Sequence, residues 1–171
     1  RKFDLDDSPF DDYSFHPMGI KEHMSDGQEL LSQLQRSKEV MVISPFIDAH
    51  TLQGFSKADR KTLITREMSL NSDIVECIEK ANIYITNQQM LDNEESHPVD
   101  LHAKIYYTRD KEYRQHMHLG SANATWNGFN RNVEFLLGLR FAPHQCSYDK
   151  FRENFINEDK DCKFEQMMEI P

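Results

Sequence analysis

The stretch Leu101-His102-Ala103-Lys104-Ile105-Tyr106-Tyr107 decides how this chain is read. It alternates apolar and polar residues before turning aromatic, which suits a strand. On a strand, residues i and i+2 share one face, so His102 and Lys104 are expected to project together. Two further pieces follow in order: Gly120-Ser121-Ala122-Asn123 closes a strand over 115–119, and Asn132-Val133-Glu134 opens one over 132–141. Gly120 permits close backbone approach, and Ser121 and Asn123 offer neutral hydrogen-bonding groups. Asn132 and Glu134 are expected on one strand face.

Together these residues supply an imidazole, a fixed cation, amide donors and a carboxylate. Phosphodiester cleavage without a metal needs that set. The imidazole attacks phosphorus, the ammonium and amides neutralise charge on the non-bridging oxygens, and a carboxylate on the other ring nitrogen fixes the tautomer.

Around this centre the chain reads as an α/β domain, a mixed β-sheet flanked by helices. The apolar run at 39–46 and the segments 61–66 and 82–86 read as earlier strands. Helices are expected over 27–37, where Leu30, Leu31 and Leu34 form a stripe, over 50–58, 71–81 and 148–156. Residues 1–25, with Pro9, Pro17 and Gly19, read as an irregular acidic lead-in, and 26–171 as a single domain. Residues 87–100 read as a loop, and 109–114 as a turn.

Length and charge bound the function. The 171 residues suffice for one core but not for two ordinary ones. The net charge of −9 argues against a uniformly basic nucleic-acid binder. The acidity is uneven, since 1–12 and 149–171 each carry −3. The window 101–140 holds six bases against three acids, and such a window is expected to mark a functional face. No apolar run approaches the roughly 20 residues that cross a membrane, and residues 1–12 do not read as a secretory leader. Cys77, Cys146 and Cys162 form no C-x-x-C pair and read as free thiols of a cytoplasmic protein. The opening Arg reads as that of a fragment or a processed product.

The ordered set resembles the phospholipase D superfamily, whose signature is H-x-K, an Asp about five residues on, G-S-x-N, and a downstream N-x-E or similar element. The resemblance is direct over about 40 residues, and the chain looks like one phospholipase D-like half-domain, closer to bacterial nuclease-like or helicase-associated members than to lipid-hydrolysing ones. One departure is that Arg109 stands where the family has Asp; Asp110 follows, with no role assigned. The resemblance implies a metal-independent phosphodiesterase, a DNA-binding endonuclease without cofactor, in which His102 forms a covalent phosphohistidine. His102, Lys104, Asn123 and Glu134 are the expected catalytic residues; Gly120, Ser121 and Asn132 are the expected substrate-binding residues. Members use two H-x-K halves, and this chain has one. A homodimer partner or a second half-domain of a longer chain is therefore expected to complete the site. The alternatives are a phospholipid phosphodiesterase or transferase, against which the absence of a basic or amphipathic membrane-binding segment argues, and a catalytically incomplete binding or assembly module.

Other polar and aromatic groups also have ordinary structural roles open to them. His97, His102, His116 and His118, with Asp92, Glu94, Glu95 and Asp100, suggest a metal site, but no spaced ligand motif supports one. Trp126 and Phe129 suit base stacking or core packing equally. Arg66 and Arg131 suit phosphate contact or solvation, and Tyr106 and Tyr107 suit the core.

Overall fold

In the computed structural model the described residues are 10–21, 26–86, 100–143, 145, 148–156 and 164–167. The expected loop at 87–100 falls outside them except for Asp100, as do His97, Asp92, Glu94, Glu95, Cys146 and Cys162.

The strands are β1 (Phe10–Met18), β2 (Glu39–Ile43), β3 (Arg60–Thr65), β4 (Asn82–Thr86), β5 (Ile105–Arg109), β6 (Gln115–Gly120), β7 (Glu134–Phe141) and β8 (Phe164–Met167). The helices are α1 (Asp26–Arg36), α2 (Ala49–Leu52), α3 (Trp126–Asn130) and α4 (Tyr148–Phe155). All eight strands form one sheet in the order β1-β7-β6-β5-β2-β3-β4-β8. β2, β3 and β4 run parallel, and the remaining pairs are antiparallel. This is the expected mixed-sheet α/β architecture.

β2 explains the centre. Its five residues, Glu-Val-Met-Val-Ile, are all buried, as a strand covered on both faces requires. Val40 and Val42 join Leu63, Tyr106 and Leu136 under Leu30, Leu31 and Leu34 of α1 and Phe129 of α3. On the other face Met41, Ile43, Ile64, Tyr84 and Tyr107 pack beneath Tyr148, with Phe151 stacked on Tyr107 at 6.0 Å between ring centroids. Tyr106 and Tyr107 are core residues, as expected.

Five expectations need correction. The helix expected over 50–58 is split into α2 at Ala49–Leu52 and a 3₁₀ turn at Phe55–Lys57. Residues 10–18 are not irregular: they form edge strand β1, paired with β7 from Phe10↔Phe141 to Met18↔Glu134. Pro17 misled the reading, because an edge strand tolerates a missing donor. The expected helix over 71–81 is a 3₁₀ turn at Ser72–Ile74 followed by further turns. Its amide bonds split between i−3 and i−4 partners (Cys77 to Ile74, Ile78 to both Ile74 and Val75), yet Ile74 and Ile78 are still buried. The strand expected from Leu101 starts only at Ile105, opposite Ile43. Beyond Ile43 the chain turns away to bridge Ile47 to Ala124, leaving 101–104 without a β2 neighbour. The strand expected from Asn132 starts at Glu134, because the Arg131 and Asn132 amides donate to the Asn127 carbonyl in the last turn of α3.

Candidate active site at one edge of the sheet

Strand direction collects the motif residues. The carboxyl ends of β1, β2, β3, β4 and β6 and the amino ends of β5 and β7 all lie along one edge of the sheet. Ligands of open α/β sheets bind outside such carboxyl ends. Gly120 ends β6 and Glu134 begins β7; Lys104 lies next to Gly120, whose amide donates to the Lys104 carbonyl at 3.2 Å.

The tightest part of the site is the Ser121–Glu134 pair. Ser121 Oγ donates to Glu134 Oε2 at 2.5 Å and accepts the Phe135 amide at 3.0 Å. Asn132 Nδ2 donates to the other oxygen, Glu134 Oε1, at 3.3 Å. Asn132 and Glu134 thus do meet, although Asn132 lies outside the strand. Gly120 allows this crossing: a Cβ there would stand 2.0 Å from the Phe135 carbonyl oxygen.

The loop from Gly120 to Ala124 is held from below. Tyr106 Oη donates to the Ala122 carbonyl at 2.7 Å. Burial first, then the Glu134 and Asp48 carboxylates, push the Tyr106 phenol well up, against a lowering bond with Ser44, so it remains a donor. Ser44 Oγ accepts the Ala124 amide at 3.0 Å. Asp48 accepts from the Thr51 amide at 2.9 Å and from the Trp126 amide at 2.5 Å. Sequence reasoning missed Ser44 and Asp48 as supports; their signal is only an Asx cap motif that any loop shares. Asn123 Oδ1 is buried with no hydrogen-bond partner among the described residues.

His102 stands apart from this cluster. Its side chain is 78% exposed, and its Nε2 lies 3.5 Å from Asp100 Oδ2 rather than against Glu134. Lys104 Nζ donates to the His102 carbonyl at 2.8 Å. The expected parallel projection of the two side chains from one strand face is therefore replaced by a folded-back lysine. Arg66, at the end of β3, anchors the segment. Its Nη2 donates to Asp100 at 2.6 Å and to the Leu101 carbonyl at 3.3 Å.

The positive window divides between two edges of the sheet. Lys104 and Arg131 lie at the motif edge. The run from Arg109 to Arg114, together with Arg140, lies at the opposite edge, because β5 and β6 reverse direction between them. There Arg109 pairs with Glu39 at 2.8 Å, Arg114 with Asp110 at 2.7 Å and Arg140 with Asp11 at 2.9 Å. A cleft of about 850 Å³ opens at that far edge, bordered by Arg36, Lys57, Lys111 and Arg114, away from His102.

This topology has solved counterparts. The chain superposes on NucT from Helicobacter pylori with a TM-score of 0.59, 17% identity, and coverage of 84% of this chain and 93% of that one. It superposes on Nuc from Salmonella typhimurium, a phospholipase D family member, with a TM-score of 0.57, 14% identity, and coverage of 91% and 99%. The chain has the phospholipase D fold. Yeast tyrosyl-DNA phosphodiesterase shares it at a TM-score of 0.52 and 11% identity, with 75% of this chain matching 32% of that one. No family profile and no curated protein sequence matches.

Within this phospholipase D fold, Asp110 is remote from His102. Burial pushes its carboxyl up, but the Arg114 amide and guanidinium and the Glu112 amide outweigh that and hold it below its usual range. It closes the β5–β6 turn. Phe129 is buried edge-on against Tyr106, which removes it as a stacking residue, whereas Trp126 is 46% exposed. His118 is buried, and its ring lies 5.2 Å from that of His16. Among the described residues no three His, Cys, Asp or Glu side chains converge as metal ligands.

Proposed function

We propose that this chain is a metal-independent phosphodiesterase acting on nucleic acid. One observation carries the reading: H-x-K, G-S-x-N and N-x-E, set on separate strand ends, lie along the same edge of a phospholipase D fold. The name of yeast tyrosyl-DNA phosphodiesterase, which shares the fold, supports a phosphodiester in DNA as the target.

In this reading the His102 imidazole attacks phosphorus, forming a P–N bond as the P–O bond to the leaving group breaks. The leaving oxygen takes a proton from a second imidazole. Water then attacks the phosphohistidine, returns a proton to that second imidazole, and releases His102. Lys104, on the His102 carbonyl, places positive charge beside the imidazole, and Asn123 supplies an amide to a non-bridging oxygen. Glu134 holds Ser121 and Asn132 in place. The second imidazole is His102 of another copy, or belongs to a further half-domain of a longer chain.

Cleavage of plasmid and single-stranded DNA in EDTA tests this. His102→Ala is expected to fall to buffer level, and Asn123→Ala to lose about 10²–10³-fold in kcat. Loss of cleavage in EDTA, or equal inertness of the parent and His102→Ala, sinks the reading. Turnover of phosphatidylcholine with DNA untouched would instead identify the lipid alternative.

A further inference from the structure

We propose that Phe46, backed by Arg66, is a stacking site for one unpaired nucleobase beside His102, which makes single-stranded nucleic acid the preferred substrate. The proposal rests on the phosphodiesterase reading and adds the form of the substrate.

Phe46 follows the end of β2 at the motif edge and is 46% exposed. It is nevertheless held firmly. Its carbonyl accepts from Ser44 Oγ at 2.7 Å, the preceding Pro45 carbonyl accepts from Ser69 Oγ at 2.7 Å, and the following Ile47 bridges to Ala124. The Arg66 guanidinium carbon sits 4.9 Å from the ring centroid. That guanidinium is itself only 17% exposed and is tied to Asp100 and Leu101, the two residues before His102. A large aromatic ring is thus linked through Arg66 to the segment that presents the imidazole, while much of it stays open to solvent.

Stacking explains this arrangement better than packing or phosphate contact. A core residue would be covered. Arg66 is a poor phosphate ligand, because its side chain is largely covered, its Nη2 already serves Asp100 and Leu101, and its Nε is buried. Every base has a π-face, so a lone ring binds bases without regard to sequence. In a duplex both faces of each base are already covered by its neighbours. An acyl chain is a poorer match, since the ring is backed by the guanidinium of Arg66, itself paired with Asp100.

The test is fluorescence anisotropy in a His102→Ala background, where turnover is blocked. Three labelled probes of equal length are compared: oligo-dT, the same backbone with abasic spacers, and a duplex. Oligo-dT is expected to bind more tightly than either. Phe46→Ala should weaken oligo-dT binding about 5- to 100-fold and leave the abasic probe unchanged, while Phe46→Tyr retains binding. Undetectable oligo-dT binding, equal binding of oligo-dT and abasic strands, duplex bound as tightly as single strand, or an inert Phe46→Ala overturns the proposal. So does Phe46-dependent sedimentation with phosphatidylcholine–phosphatidylglycerol vesicles without base-dependent binding of oligo-dT. Base-dependent binding by a chain that never cleaves would instead sink the phosphodiesterase reading alone.

Discussion

Glu134 and His118 show how differently two polar residues are kept in this sheet. Glu134 stands at the first position of β7, and both of its oxygens accept hydrogen bonds, from Ser121 and Asn132. His118 lies deeper on β6, 6% exposed, with its Nδ1 unpartnered among the described residues. Burial, then His16 and His116, hold its imidazole down to about 3. In the unfolded chain it protonates near its ordinary value, about 6.5. Between those values the unfolded chain binds more protons, so this contribution to stability is fully present above about pH 6.5 and is lost progressively as pH falls toward 3. Urea unfolding at pH 6.5 and pH 5 should show the parent chain losing about 1–2 kcal/mol more than His118→Gln across that interval. Parallel losses in the two proteins would refute the assignment. His102, Lys104, Ser121, Asn123, Asn132 and Glu134 were legible as a set because their types and order carry chemistry. The pairing of His102 with Asp100, and of Asp100 with Arg66, was not, since it depends on where β3 ends relative to β5.

At the level of elements, the edge that carries the motif is built from strand ends and the loops that follow them. Asp48 ties two such loops together, capping α2 through the Thr51 amide and holding the first amide of α3 at Trp126. Asp48→Ala removes both acceptors and is expected to cost about 1–3 kcal/mol in urea unfolding. It should also speed hydrogen exchange at the Thr51 and Trp126 amides; unchanged exchange there would show that Asp48 clamps neither loop. The helical stripe of α1 and the buried run of β2 could be read from periodicity and apolar content. Strand starts could not. Whether residue 101 or 132 lies in a ladder depends on whether a neighbouring strand extends that far, and β2 and α3 decide it. β1 escapes a local reading for a related reason: Pro9, Pro17 and Gly19 read as breakers, and only pairing with β7 makes 10–18 a strand.

For the whole molecule, these 171 residues hold one H-x-K, so where the second imidazole comes from another copy, activity is a property of the assembly under the proposed mechanism. Specific activity is therefore expected to fall on dilution in step with the dimer fraction seen by sedimentation velocity. A monomer that keeps full specific activity would exclude a site shared between two copies. The charge distribution also changes meaning at this scale. The window 101–140 is positive in sequence, but its strands reverse and carry Arg109, Arg114 and Arg140 to the edge opposite His102, where acids pair with them. The motif edge is left with Lys104 and Arg131 from that window. A base-stacking contribution at Phe46 suits such a site, because the two cations left there by that window, beside an Arg66 already paired with Asp100, give little phosphate affinity of their own.

The amino-acid sequence alone determined the fold class and the chemical set. Apolar periodicity specifies elements locally, and the order H-x-K, G-S-x-N, N-x-E places particular groups after particular strands. The tertiary structure alone decided where those groups stand: His102 beside Asp100, Glu134 between Ser121 and Asn132, the cations of one window at opposite edges, and Phe46 against Arg66. Phe46 against Arg66 and Ser121 against Glu134 join separate segments, and the short-range pair His102–Asp100 is anchored by Arg66 from β3. They depend on strand order, direction and register, which no local pattern encodes.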